Sequence, residues 1–252
     1  MRPKKRVIFL TGAGLSAPSG LQTFRGKDGL WMGHRIDEVC NELTYNKNRD
    51  KVFAFYNARR QELATAAPNA AHALIAELQA DFGTKAVLNV TQNVDDLLER
   101  AGVTDVLHVH GFLPSLQCTR CNGFSWDIGH RAAQYGADTC PNCNRPNAVK
   151  PNIVLFGGMA PKYRTMYKLF SELTEDDLVV VIGTTGAVIP VNDLLTGGVA
   201  FYGMGARCKA LLCLMEPSMY IREDLFGTVI YGCCAENASA IGATVRAHLN
   251  GD

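Results

Sequence analysis

Two matched cysteine pairs in mid-chain, Cys118-Thr-Arg-Cys121 and Cys140-Pro-Asn-Cys143, constrain the fold more than any other feature of the chain. Each Cys-x2-Cys turn points two sulfurs at one ion. Two such turns about eighteen residues apart supply the four thiolates of a closed tetrahedral zinc site. The alternative is a pair of disulfides, which the x2 spacing strains and which nothing else in the chain favours. A four-cysteine site leaves no coordination position open, so the metal is expected to hold a fold and to do no chemistry.

The remaining composition is that of a folded chain. Of 252 residues, 47% are hydrophobic and 19% charged, which suits one elaborated domain or a large domain carrying a small insert. A formal net charge of +1 makes no electrostatic case for nucleic acid as a partner. No apolar run approaches a membrane span, and Val7 to Leu10 is too short for a signal-peptide core, so a cytoplasmic protein without a membrane partner is expected. The basic start from Arg2 to Arg6 reads as a solvated tail. Cys40, Cys208, Cys213, Cys233 and Cys234 lack metal spacing and read as buried small hydrophobes, with a redox role for Cys233 and Cys234 the lesser alternative.

Val7-Ile-Phe-Leu10 is a continuous apolar run, as a strand buried on both faces requires. Similar runs recur at Ala86 to Val90, Val106 to Val109, Ile153 to Leu155, Leu178 to Ile182 and Ala210 to Leu214. Helical patterns lie between several of them, at Ala70 to Gln79 and Val94 to Arg100, and the alternation predicts an α/β fold with a parallel sheet. Asp50 to Thr65 has helical spacing outside that rhythm, and Gln117 to Lys150, rich in Cys, Asn, Gly and Pro, is the zinc insert.

Three strand ends carry the polar chemistry. The first strand runs into Gly12-x-Gly14-x-x-Ala17, which matches the dinucleotide fingerprint, in which glycines let backbone amides approach a pyrophosphate at a helix N-terminus. An ordinary glycine-rich turn is the alternative, and the usual ribose-binding acid after a second strand is missing. Pro18 to Gly26 is too irregular for a crossover helix and reads as a lid or binding segment. Thr91-Gln92-Asn93-Val94-Asp95 ends another strand, where ligands bind in parallel sheets; a simple helix cap competes with that reading. His108-Val-His110-Gly111 ends a third, and period two puts both imidazoles on one face. Either is a candidate general base, and a satisfied core histidine suits His108 better.

Taken together, Gly12 to Ser16, Phe24-Arg25-Gly26, Thr91 to Asp95, His110-Gly111, the cysteine pairs, Pro151 to Gly157 and Gly183-Thr184-Thr185-Gly186 resemble the sirtuin family, in family order from about residue 7 to Ser218. The resemblance implies a Rossmann-like parallel-sheet domain (residues 1–34, 78–116 and 151–252) with an inserted small module, helical in 35–77 and a zinc ribbon in 117–150. It implies an NAD-dependent protein-lysine deacylase that acts on acylated lysine proteins or peptides and releases nicotinamide and O-acyl-ADP-ribose.

Carried over, Gly12, Ala13, Gly14 and Ser16 face the pyrophosphate, and Gly183, Thr184 and Thr185 hold phosphate and ribose. Phe24 and Arg25 belong to the cofactor loop, Gln92 and Asn93 contact ribose or order water, Asp95 binds the nicotinamide amide, and His110 is the base. Phe156, Gly157, Gly158 and Val188 fall on the two edges that clamp the peptide as an added strand. Phe55-Tyr56-Asn-Ala-Arg59-Arg60 resembles the desuccinylase-type branch, in which Tyr56 and Arg59 meet a succinyl or malonyl carboxylate. On spacing alone Arg59 is better read as an exposed residue in a surface ion pair, and the branch resemblance reverses that preference.

The chain departs from the family pattern at Gly158, usually Glu, at Leu214, usually Asn, at Phe112 and at Thr185. An NAD glycohydrolase or ADP-ribosyl transferase on the same scaffold, and a non-catalytic NAD-binding module, are the competing readings. Asn93, Asp95 and His110 argue against the last.

Overall fold

Runs such as Val7 to Leu10 offer no polar face to water, so each must be covered on both sides, and in the computed structural model they are. The structure describes residues 3–22, 30–31, 33–197 and 208–251; Phe24 and Arg25 lie outside them. The strands are β1 (Arg6–Thr11), β2 (Leu30–Trp31), β3 (His34–Arg35), β4 (Val87–Thr91), β5 (Val106–His108), β6 (Gly111–Cys118), β7 (Ser125–Asp127), β8 (Val149–Ile153), β9 (Asp177–Ile182), β10 (Lys209–Leu214) and β11 (Thr228–Tyr231). The helices are α1 (Ile36–Val39), α2 (Glu42–Tyr45), α3 (Arg49–Thr65), α4 (Ala70–Phe82), α5 (Leu97–Arg100), α6 (Tyr163–Ser171), α7 (Val191–Thr196) and α8 (Ala238–Asn250).

β5, β4, β1, β9, β10 and β11 pair in that order, all parallel. Counted within this sheet, the order is 3-2-1-4-5-6, the doubly wound arrangement of dinucleotide-binding folds. Alternate residues of β1 face opposite layers. Val7 and Phe9 pack with Ile75 and Leu78 of α4 and Ile241 and Val245 of α8. Ile8 and Leu10 pack with Met166 and Phe170 of α6 and Leu194 of α7. The strand order reverses between β1 and β9, the switch point at which doubly wound folds bind dinucleotides.

Those two loops cross at contact distance. Gly12 N–H donates to the Ile182 carbonyl at 2.9 Å and Gly14 N–H to the Gly183 carbonyl at 2.9 Å. A Cβ at Gly14 would lie 2.6 Å from Gly183 Cα, and one at Gly183 2.5 Å from Gly14 and Leu15 backbone atoms. Gly183 also has φ +66°, so only glycine meets both demands without strain.

Several expectations are corrected. In place of the helix N-terminus that a dinucleotide fingerprint carries, two 3-10 turns, Ala13–Leu15 and Ala17–Ser19, follow β1 and end at Gly20 in the left-handed region, Pro18 and Gly20 interrupting the run. Ile153 does not start a strand of the parallel sheet. It ends β8, which pairs antiparallel with β6 and alternates buried and part-buried residues, as a half-exposed strand does. The sixth parallel strand is β11, a part-exposed edge too short and mixed to stand out in the sequence. Arg6 is no tail residue. It begins β1 and is buried, its guanidinium paired with buried Asp177 at 2.8 and 3.1 Å. The helix expected from Val94 shortens to Leu97–Arg100.

β6, β7 and β8 form a separate antiparallel sheet. Helix α3 lies against its Gly111 end, where Val52, Phe55, Tyr56 and Leu63 share a cluster with Leu113, Ile153 and Leu155. Arg60, fully buried on α3, donates to the Leu113 carbonyl at 2.9 Å and to Asn57 Oδ1 at 2.9 Å, pinning helix to strand.

At the other end Cys118, Cys121, Cys140 and Cys143 bring their sulfurs within 4.8 Å of one another. The spacings Cys118–Cys143 (3.8 Å) and Cys121–Cys140 (3.9 Å) rule out disulfides. Four thiolates about 2.3 Å from a tetrahedral zinc stand about 3.8 Å apart, so the donor set fits zinc. The metal ties the end of β6 to the 140–143 turn. Purified protein is expected to contain about one zinc per chain, and Cys121→Ser to lose it together with several degrees of Tm, read by elemental analysis and thermal unfolding.

Candidate active site

The site grows from polar stitches across the carboxyl ends of β1 and β4. Thr11 Oγ1 donates to Thr91 Oγ1 at 2.8 Å, and Thr91 Oγ1 in turn accepts the Asn93 N–H at 3.0 Å. Gln92 N–H donates to the Thr11 carbonyl at 2.9 Å, so residues 92–95 turn back over the crevice.

Three predicted side chains meet there. Asn93 Nδ2 donates to Ser16 Oγ at 3.0 Å, and Ser16 Oγ donates to Asp95 Oδ2 at 2.9 Å. Asp95 Oδ1 accepts the Leu97 N–H at 3.2 Å, so this carboxylate satisfies a donor of the first turn of α5 and holds Ser16 at once. Burial pushes the Asp95 carboxyl above its ordinary range, with the Ser16 and Leu97 hydrogen bonds opposing.

Behind Ser16 stands His72, which the sequence did not single out. Its Nδ1 accepts the Asn69 N–H at 3.2 Å in a capping box, which leaves Nε2–H directed at Ser16 Oγ, 3.5 Å away. Burial pushes this imidazole down to about 4. Asn69 Nδ2 also donates to the Leu15 carbonyl at 2.8 Å, tying the start of α4 to the glycine loop.

The two histidines of His108-Val-His110 lean back toward the 92–93 turn, as period two requires. His108 is buried, with Nδ1 2.9 Å from the Asn93 carbonyl and Nε2 2.7 Å from Glu99 Oε1; it is a structural bridge. His110 Nδ1 lies 3.1 Å from the Gln92 carbonyl, which can only accept. The hydrogen of the neutral ring is therefore on Nδ1, and Nε2 carries the lone pair. That nitrogen is 2.7 Å from Tyr163 Oη, a second partner that sequence reasoning missed. Burial holds His110 below its ordinary value, with the Gln92 carbonyl opposing, and pushes Tyr163 up to about 12.

Across the crevice Gly183 N–H donates to the Cys213 carbonyl at 3.0 Å, Thr184 is buried, and Thr185 is exposed with its carbonyl accepting from Ser218 Oγ at 2.6 Å. The fit to a dinucleotide rests on the switch point, a crossing with no room for a Cβ, and the buried Ser16–Asn93–Asp95 triangle beside it.

The residues expected at the peptide edge and the acyl group have partners of their own. Phe156 N–H donates to the Cys40 carbonyl at 2.9 Å, and the Phe156 carbonyl accepts the Glu42 N–H at 3.0 Å. Gly157 has φ +75°, and a Cβ at Gly158 would stand 3.2 Å from Glu42 Oε2; a carboxylate from α2 thus occupies the space beside the glycine. Val188 is exposed. Tyr56 is buried and its hydroxyl donates to Cys40 Sγ at 3.3 Å. Arg59 lies over the Phe55 ring, 5.0 Å from its centroid, and its Nε donates to Glu62 Oε2 at 2.9 Å.

Residues 12–190 match the Sir2 family model. The chain belongs to the Sir2 family. A Campylobacter jejuni NAD-dependent protein deacylase is 48% identical over 188 residues, covering 75% of this sirtuin and 77% of the relative. A Helicobacter hepaticus NAD-dependent protein deacylase is 39% identical over 241 residues, covering 90% and 91%. The crystal structure of a Sir2 homolog–NAD complex superposes with TM-score 0.78 at 31% identity, over 97% of this chain and 91% of that one. Among the described residues of this sirtuin no helix is long and apolar enough to cross a membrane.

The depressed His72 has a consequence for stability. In the unfolded chain it takes up a proton as pH falls through 6.5, whereas in the folded chain it does so only near 4. Its contribution is full above pH 6.5 and is lost through that window, by up to about 1.4 kcal/mol per pH unit. His72→Gln is expected to flatten the pH dependence of urea-unfolding stability between those limits.

Proposed function

We propose that this sirtuin is an NAD-dependent protein-lysine deacylase in which His110 Nε2 is the proton acceptor. Residues 1–34, 78–116 and 151–252 hold NAD, and 35–77 with 117–150 wall the cleft. The observation that carries the reading is the lock of His110 Nδ1 on the Gln92 carbonyl, which leaves Nε2 as the basic nitrogen beside the buried Ser16–Asn93–Asp95 triangle.

NAD supplies an electrophilic sugar carbon as nicotinamide departs. Toward it, Gly12, Ala13, Gly14 and Ser16 line the pyrophosphate side, Gly183, Thr184 and Thr185 the phosphate and ribose side, and Gln92, Asn93 and Asp95 the nicotinamide end. Phe24 and Arg25, which lie outside the described residues, belong to the cofactor loop by family resemblance. A developing positive charge on the sugar is favoured in a site whose dipoles are already fixed by hydrogen bonds. Phe156, Gly157, Gly158 and Val188 would border the acylated peptide, an added strand that needs little side-chain choice; the Phe156 N–H and carbonyl, already bonded to Cys40 and Glu42, stay out of its pairing.

Tyr56 and Arg59 select the acyl group. In the free chain Glu62 holds the Arg59 guanidinium, so a succinyl or malonyl carboxylate binds by taking over that charge-assisted contact. Both partners of the exchange are carboxylates, which keeps the ion pair intact.

His110→Ala is expected to lower turnover about 100-fold or more with zinc content unchanged, measured by peptide-dependent nicotinamide release. Because His110 accepts a proton only when neutral and its pKa is depressed, wild-type kcat/KM should hold as pH falls to 6.5 and drop only below it. Release that needs no acylated peptide would replace this reading with a glycohydrolase. Arg59→Met is expected to lower kcat/KM for succinyl and malonyl peptides roughly 10- to 100-fold while leaving acetyl peptides within about threefold.

A further inference from the structure

The contact between His110 and Tyr163 is not used by any role assigned above, and it falls on the nitrogen that matters. With Nδ1–H committed to the Gln92 carbonyl, His110 has a single lone pair, on Nε2, and the Tyr163 hydroxyl at 2.7 Å is its donor. Tyr163 is set there by rigid structure. It opens α6, its N–H donates to the Ala160 carbonyl at 3.0 Å, and the helix is anchored by buried Met166 and Phe170. Its ring lies 5.7 Å from the imidazole and packs edge-on against Tyr167 at 5.9 Å. The side chain is half-buried, and with its pKa up to about 12 it stays a phenol at neutral pH.

A second hydroxyl entering the cleft cannot donate to Nε2 while Tyr163 does. Either the tyrosine is displaced, or it passes the proton on. A phenol oxygen keeps lone pairs free while its own O–H donates, so it can accept from one side and give to the other.

We propose that Tyr163 is a relay hydroxyl between His110 Nε2 and the hydroxyl that attacks in the cleft. The O–H bond of the attacking hydroxyl breaks and a new O–H forms on the Tyr163 oxygen. In the same step the original Tyr163 O–H breaks and an N–H forms at Nε2. The phenol is unchanged, His110 becomes an imidazolium, and the attacking oxygen keeps its electron pair. No oxidant or reductant takes part. The relay rests on His110 being the base.

The test uses the full-length zinc-loaded chain and Tyr163→Phe, which keeps both ring contacts and removes one oxygen. Without NAD, the ¹⁵N resonance of His110 Nε2 is expected to move in the variant as its hydrogen bond disappears. With NAD and acyl peptide, single-turnover product formation is expected to fall about 10- to 100-fold, with both KM values within about threefold. A plot of the wild-type rate against D2O fraction should curve, as two transferring protons require, and become linear in Tyr163→Phe.

An unchanged ¹⁵N resonance, or a variant at wild-type rate, overturns the relay; a faster variant also overturns it, showing that the hydroxyl only shields the base. A linear wild-type plot does so without any variant. His110→Ala separates the two assignments: if it retains turnover the base itself is wrong, and if it alone loses turnover only the relay fails.

Discussion

The structure depends on one close backbone crossing, that of the loops after β1 and β9 at Gly14 and Gly183. There the sheet order reverses, and the two carboxyl-terminal loops are held in close contact by hydrogen bonds from Gly12 and Gly14. The crossing fixes where the 3-10 turn Ala13–Leu15 begins and therefore where Ser16 points. Ser16 in turn is the shared partner of Asn93 and Asp95, which arrive from β4. A side chain at either glycine would separate the loops and carry Ser16 away from both.

What the crossing begins, hydrogen bonds with few alternatives complete. Thr11, Thr91 and Gln92 join two strand ends, and the Gln92 and Asn93 carbonyls then orient the rings of His110 and His108. The buried polar side chains of Thr11, Ser16, Thr91 and Asn93 are each committed to specific partners, and leaving one unsatisfied would cost about 1 to 3 kcal/mol. The site is thus held by the backbone of the scaffold and by buried side chains behind it, including His72, with little left to loop flexibility.

Much of this was legible in the sequence because it is local. Continuous apolar runs declare doubly covered strands, Cys-x2-Cys declares its own geometry, and the polar clusters at Thr91 to Asp95 and His108 to His110 sit within a few residues of a strand end. What escaped is non-local. Arg6 meets Asp177 171 positions away, and a basic residue at the start of a chain reads as solvated until its partner is in view. Tyr163 stands 53 positions from His110 on an amphipathic helix, where a tyrosine is read as ordinary packing. His72 hides at the third position of a capping box, a place that already explains it. The ribbon strand ending at Ile153 was misplaced because a three-residue apolar run does not reveal whether one face or two will be covered.

A single cause, burial, moves His110 and Asp95 in opposite senses. Exclusion of water disfavours whichever form is charged, so His110 is held below its ordinary value and Asp95 above it. Both shifts lower the charge standing in the cleft. For His110, the base proposed above, this favours the neutral ring. For Asp95 it makes the hydrogen bonds from Ser16 and Leu97 matter more, since they are what keep the carboxylate form favourable against desolvation. A cleft of low standing charge and fixed dipoles is also one in which a charge that develops during reaction is poorly screened and therefore strongly felt by groups already in place. At a distance, α3 fixes the Gly111 end of β6, which follows His110 directly, through Arg60 on the Leu113 carbonyl, while the cysteine cluster holds the other end of the same strand.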